Sequence, residues 1–298
     1  MFGLNKLIPV EPSYNFLNYR KFFLIISTFA ISISILLLFF KGLNLGIDFK
    51  GGTLIEVKTI NSSIGELRNI LSPNFNEVSL QEFGDKNTII IRLQNENNQE
   101  SIETVNKVKQ IINNKVEEFR RSEFVGPTIS SELLWKGFQA VSFALFAILI
   151  YIWLRFEWQF GFGAVVALTH DVLFTLGVLS FLNIEFSLST IAAVLTIAGY
   201  SINDTVVIFD RVRENLRKYK KLEYVDLFNL SINNTLSRTV MTSLTTLIAL
   251  FCLYLFGGEV IKPFAFTMII GVIIGTFSSI YVAVPTLLLF KLRPQEDD

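Results

Sequence analysis

The chain has 298 residues, of which 51% are apolar, with 29 phenylalanines and a mean hydropathy of +0.49. Several apolar runs approach or exceed the ~20 residues that cross a bilayer, so the composition specifies an integral membrane protein. Twenty-six basic residues balance 26 acidic ones, leaving no net field to recruit nucleic acid, and the single cysteine, Cys252, excludes an intrachain disulfide and a cysteine-built metal cluster.

Residues 1–21, with Lys6, Arg20 and Lys21, precede the first long apolar run and read as a cytoplasmic N-terminus. The apolar run that follows, 22–41, is longer than the core of a signal peptide and precedes no small-residue cleavage site, so it reads as a retained first span. From 42 to 131 the composition changes to that of a soluble domain, long enough for one small core. Alternating runs predict strands at 53–59, 78–83, 88–93 and 119–125. Residues 61–71 and 100–116 carry helical spacing, and Gly84, Asp85, Lys86 and Asn87 signal a hairpin turn. The order βαββαβ is the ferredoxin-like pattern.

Five further spans follow at 132–155, 162–182, 187–210, 238–256 and 264–290, with a cytoplasmic loop at 211–237 and a tail at 291–298. The last span carries Pro285 near its end, which predicts tilt or a kink. In the loop, Tyr224, Leu227, Phe228 and Ile232 share a face of 222–236, which reads either as a helix lying along the membrane surface or as an ordinary connecting helix. With the N-terminus inside, the cytoplasmic segments hold thirteen Lys and Arg, from Lys6 and Arg20 to Lys291 and Arg293. The opposite short loops hold only Lys262. That asymmetry puts both termini in the cytoplasm and the 42–131 domain outside.

Ionisable residues inside spans are the candidates for function, since a charge at mid-bilayer costs roughly 2.5–3.5 kcal/mol on insertion scales. The fourth span ends in residues 199–215, GYSINDTVVIFDRVREN, with Asn203 and Asp204 inside it. If Asp210 marks the cytoplasmic edge, Asp204 lies about 9 Å deeper at 1.5 Å per residue. Arg238 enters the fifth span from the same side at similar depth, so the two are expected to pair; a snorkelling anchor is the other role open to Arg238, and a neutral interhelical hydrogen bond the other role open to Asp204. His170 and Asp171 lie in the third span as secondary relay or packing candidates. Successive residues point about 100° apart, so only one of them is expected to face a given neighbour. Gly271 and Gly275 form a G-x-x-x-G that allows close helix packing. No phosphate loop, H-E-x-x-H, Ser/His/Asp set or metal-ligand spacing is present, so neither an enzyme nor a bound cofactor or metal is expected.

Two long segments resemble one family. Residues 46–57, GIDFKGGTLIEV, with Gly46, Asp48, Gly51 and Gly52, and residues 199–215, with Asp210, Arg211, Arg213, Glu214 and Asn215, are similar to the bacterial SecD/SecF protein-export membrane proteins, on the SecF side. The His170–Asp171 pair, Arg238 before the fifth span and Leu255, Phe256, Gly257 and Gly258 fit the same family. The resemblance implies a SecD partner subunit, together forming a unit like a resistance-nodulation-division transporter in the bacterial inner membrane. It further implies association with the SecYEG channel and YajC, an unfolded preprotein as substrate, and protons as coupling ion for late steps of translocation. Within the family the residues matching Asp204 and Arg238 are implicated in proton conduction, and SecD supplies further relay groups. A proton-driven exporter of small molecules or lipids from the same superfamily, and a translocon scaffold that conducts no protons, are the alternatives.

Overall fold

The computed structural model describes residues 12–60, 62–75, 78–82, 87–93, 101–258 and 260–292. After a 3₁₀ turn at Phe16–Tyr19 the elements run α1 (Arg20–Phe40), β1 (Asn44–Leu45), α2 (Ile47–Lys50), β2 (Gly52–Thr59), α3 (Ile64–Leu71), β3 (Val78–Glu82), β4 (Thr88–Leu93), α4 (Ser101–Ile112), β5 (Val116–Val125), α5 (Pro127–Arg155), α6 (Trp158–Leu182), β6 (Glu185–Phe186), α7 (Leu188–Lys218), α8 (Tyr224–Phe256) and α9 (Lys262–Ser278). A π turn at Ser279–Ala283 then leads into α10 (Val284–Leu287). The described residues fall into two compact units, one of residues 12–43, 141–184 and 189–292, the other of residues 44–140 and 185–188.

The first unit is a helix bundle. Six helical stretches among the described residues are long and apolar enough to cross a membrane, as a polytopic helical membrane protein requires. They differ in burial: 67% of the apolar window of the last helix and 50% of that of α7 are covered, against 11% for the first. The last helix and α7 are therefore central, and α1 faces outward. Phe160, Phe209 and Phe228 are wholly buried, with Phe160 edge-on to Phe209 at 5.4 Å, and Ala164, Ala198 and Ala283 let the backbones approach around them.

The second unit is built on a four-stranded antiparallel sheet of order β3-β4-β2-β5. Period-two alternation sends Ile55, Val57, Ile89 and Ile91 to one face, where Leu67 and Leu71 of α3 and Val108 and Ile112 of α4 cover them. Leu54 and Ile90 point to the other face with Ile47. The Ser63 hydroxyl accepts the Glu66 N–H at 3.3 Å and caps α3. A two-residue parallel pair, β1 with β6, brings 44–45 beside 185–186.

The structure departs from the sequence reading over 211–237 and specifies what stands near Pro285. Residues 211–237 are not a loop: α7 runs unbroken to Lys218, α8 starts at Tyr224, and only 219–223 turn between them. The segment 222–236 is accordingly neither a surface helix nor a separate connector. It is mostly the first half of α8, and Leu227, Phe228 and Ile232 bury their face in the bundle core because tertiary packing there offers more apolar contact than a membrane surface. The perturbation around Pro285 is a π turn, which admits a residue lacking an N–H without abandoning the helix. The hairpin signal at Gly84, Asp85 and Lys86 lies outside the described residues, as do Lys6 and Arg293; Asn87, at its end, has φ +83.

Candidate functional site

Near the middle of the 31-residue α7, Asp204 turns inward and is only 3% exposed. It reaches that position because α9 lies close along α7. A Cβ at Gly271 would meet the Ile197 side chain at 2.2 Å, and one at Gly275 would meet Ser201 Cβ at 3.0 Å. The G-x-x-x-G face thus sets the spacing between these helices. One residue beyond Gly275, Thr276 Oγ1 donates to Asp204 Oδ2 at 3.5 Å. Gly275→Leu should force the helices apart, cost about 1–3 kcal/mol as overpacking does, and remove that bond. A lowered midpoint of thermal unfolding in detergent is the expected reading, and an unchanged midpoint would contradict the close approach.

Asp204 and Arg238 do not pair. Arg238 is exposed on α8 and makes no ion pair with Asp204, although its charge attracts that carboxylate through space. Equal depth on neighbouring helices fixes height but not rotation, and the guanidinium is turned out of the bundle. Asn203 is likewise exposed, as its 100° offset from Asp204 requires.

His170 and Asp171 form a second polar centre. Asp171 is wholly buried; its Oδ2 accepts from Ser201 Oγ at 2.5 Å and from Ser278 Oγ at 2.7 Å, and its Oδ1 lies 2.9 Å from His170 Nδ1. Toward α7 only Asp171 reaches across, as expected, but both residues meet α9, Asp171 through Ser278 and His170 through Phe277. Among the described residues His170 Nε2 meets no hydrogen-bond partner, and Phe174 and Phe277 flank the ring. Sequence reasoning missed Thr276, Ser201 and Ser278: a hydroxyl in an apolar helix satisfies itself on the carbonyl one turn back, so it carries no signal of its partner.

The charged end of α7 is structural at most positions. Asp210 takes two bonds from Arg155 Nη2, at 2.7 and 2.8 Å, and Arg213 approaches it at 4.0 Å. Both guanidiniums lie over the Phe156 ring. Arg211 bonds Glu214 at 2.7 Å, and Asn215 donates to Ser231 Oγ at 2.9 Å, tying α7 to α8. On α8, Asn229 Oδ1 accepts the Leu17 N–H, while Asn233 accepts from the Tyr14 N–H and donates to the Tyr14 carbonyl, so side chains replace missing backbone partners of the segment before α1.

Residues 46–52 form a second motif site, in the sheet unit. Gly51 and Gly52 have φ +73 and +112, conformations that let the chain leave α2 and enter β2 at once. A Cβ at Gly46 would lie 2.6 Å from Glu185 Oε1, and Glu185 is ion-paired with Arg92. Asp48 Oδ2 accepts the Leu188 N–H at 2.9 Å, capping the start of α7.

The family model described as protein export membrane protein SecD/SecF, C-terminal, matches residues 104–293, and the SecD/SecF GG motif matches residues 36–59. The chain belongs to the SecD/SecF family. Within that family its relatives include the protein translocase subunit SecF of Rickettsia rickettsii, 42% identical over 296 residues that cover 97% of this chain and 95% of the relative, and that of Rickettsia bellii, 43% identical and covering 98% of each. Among solved structures it is similar to SecDF from Thermus thermophilus, described as a translocon-associated membrane protein, with TM-score 0.87 and 36% identity over 96% of this chain. A super-membrane-facing form of SecDF gives TM-score 0.70 and 35% identity over 94% of this chain. The chain spans 40% and 39% of those two SecDF chains. As a SecD/SecF protein related to translocase subunits, it has a role in Sec-dependent protein translocation as a membrane transport component.

Proposed function

We propose that this chain couples the proton motive force to late steps of preprotein translocation, as one half of a unit whose other half is a SecD subunit. The SecYEG channel and YajC are its further partners and the emerging unfolded preprotein its substrate. The observation that carries this reading is the Asp204 carboxylate, buried mid-helix in a bundle whose family acts in protein export. Protonation of Asp204 removes one charge from the centre of the bundle and weakens its attraction to Arg238. The packing of α7 against α8 and α9 then changes, and release of the proton to the cytoplasm resets it. Protons are the coupling ion, and no bound cofactor is required.

The sheet unit is proposed to be extracytoplasmic and ferredoxin-like, which its strand order supports: numbered within the four-stranded sheet alone, that order is 2-3-1-4. Both termini are assigned to the cytoplasm on the distribution of Lys and Arg. The resemblance of the chain to SecF subunits over nearly their whole length favours export of protein over export of small molecules or lipids. Inner-membrane vesicles depleted of this chain should lose the gradient-stimulated part of export and regain it when the chain and its SecD partner are restored. If restoration leaves the uncoupler-sensitive rate unchanged, the coupling role is wrong.

A further inference from the structure

We infer that three hydroxyls, Tyr200, Ser243 and Thr276, form the route by which a proton reaches Asp204. The inference rests on the reading of Asp204 as the proton carrier. Tyr200 Oη donates to Ser243 Oγ at 3.2 Å, Ser243 Oγ lies 2.7 Å from Thr276 Oγ1, and Thr276 Oγ1 donates to Asp204 Oδ2 at 3.5 Å. The chain therefore passes from α7 through α8 and α9 and back to α7. Its three links share one sense: with Ser243 donating to Thr276, every O–H points toward the carboxylate. Thr276 has two acceptors for its single proton, the Val272 carbonyl at 2.9 Å and Asp204, so its hydroxyl switches between resting on its own helix and feeding the acid.

The surroundings isolate this line. Ser243 is 7% exposed, and Tyr200, half-buried, packs on an apolar cluster that includes Ala193, Ile197, Leu250 and Val272. The Asp171 centre has its own hydroxyls, Ser201 and Ser278, and shares none of these three. Tyr200 stands one turn before Asp204, about 6 Å nearer the start of α7, and is the more exposed end of the chain.

Transfer is a concerted exchange of O–H bonds. Thr276 gives its proton to Asp204 Oδ2, Ser243 gives its proton to Thr276, and Tyr200 gives its proton to Ser243. A proton from water restores the phenol, so one proton enters at Tyr200, one arrives at Asp204, and each hydroxyl ends as it began.

The test uses the chain reconstituted with a SecD partner in proteoliposomes, reading gradient-driven proton uptake with a trapped pH dye. Ser243→Ala should slow uptake about a hundredfold or more, within the range a positioned proton-transfer group contributes. Ser243→Thr, which keeps the hydroxyl, should restore most of the rate, and Tyr200→Phe should slow uptake as Ser243→Ala does. Co-purification with the partner controls for folding. Wild-type uptake in Ser243→Ala, or equal slowing in Ser243→Thr, overturns the hydroxyl route, the second because it would mark Ser243 as a packing residue. Asp204→Asn separates the two levels. If it abolishes uptake while Ser243→Ala does not, only the route falls; if it leaves uptake intact, the carrier reading falls with it.

Discussion

Asp204→Asn is expected to abolish stimulation of export by a proton gradient while leaving the chain folded and bound to its partner. Asparagine has nearly the volume of aspartate and keeps an oxygen for the Thr276 hydroxyl, so the close packing of α7 on α9 survives. What it lacks is the ability to exchange a proton. One elementary charge crossing 100 mV is worth about 2.3 kcal/mol, an approximately fifty-fold bias on a two-state element, and a side chain that never changes charge draws none of it. Asp204→Glu retains the titratable group with one extra methylene and should keep part of the stimulation. Export into inverted vesicles, measured with and without an uncoupler, decides the matter: an uncoupler-sensitive rate that persists in Asp204→Asn would remove Asp204 from the mechanism.

The second large effect is on stability. Asp171→Leu should destabilise the bundle by about 2–6 kcal/mol, because two donors lose their acceptor inside it, each leaving a penalty of about 1–3 kcal/mol. Ser201 Oγ and His170 Nδ1 each lose the bond they make to this carboxylate. Ser278 is protected, since the Gly275 carbonyl lies 3.1 Å away. Asp171→Asn keeps an oxygen at the same place and should lose less than half as much. Thermal unfolding of the detergent-solubilised protein would show the order wild type, Asn, Leu. A Leu variant as stable as wild type would mean that the polar centre contributes nothing to the bundle.

The parts legible in the sequence are those fixed by simple periodicity or by solvent. Six apolar stretches could be read because a bilayer needs about 20 such residues, and strands near 53–59 and 88–93 because alternation has a period of two. The charged end of α7 and the polar start of α8 read as a loop because polarity signals water, not the absence of a helix; Asn215, Asn229 and Asn233 are polar residues that hold segments together. Asp204 stood out by its cost alone. Its contact with Thr276 did not, since the expected pair with Arg238 came from depth, and depth leaves the azimuth of each helix open. The joining of Gly46 and Asp48 to residues 185–188 spans nearly 140 positions, a separation at which a two-residue strand pair leaves no periodic trace.

The π turn at Ser279–Ala283 stands directly after Thr276 and Ser278, the residues through which α9 meets both buried carboxylates, and Ser279 itself bonds Thr205 at 3.0 Å. A turn of this kind stores one surplus residue in the helix. Sliding that surplus by one turn toward the N-terminus would rotate the stretch it passes by about 100°, carrying one set of hydroxyls away from α6 and α7 and bringing another in, while only a single turn of backbone hydrogen bonds is exchanged. Such a slide would give the last helix a second azimuth with its ends left in place.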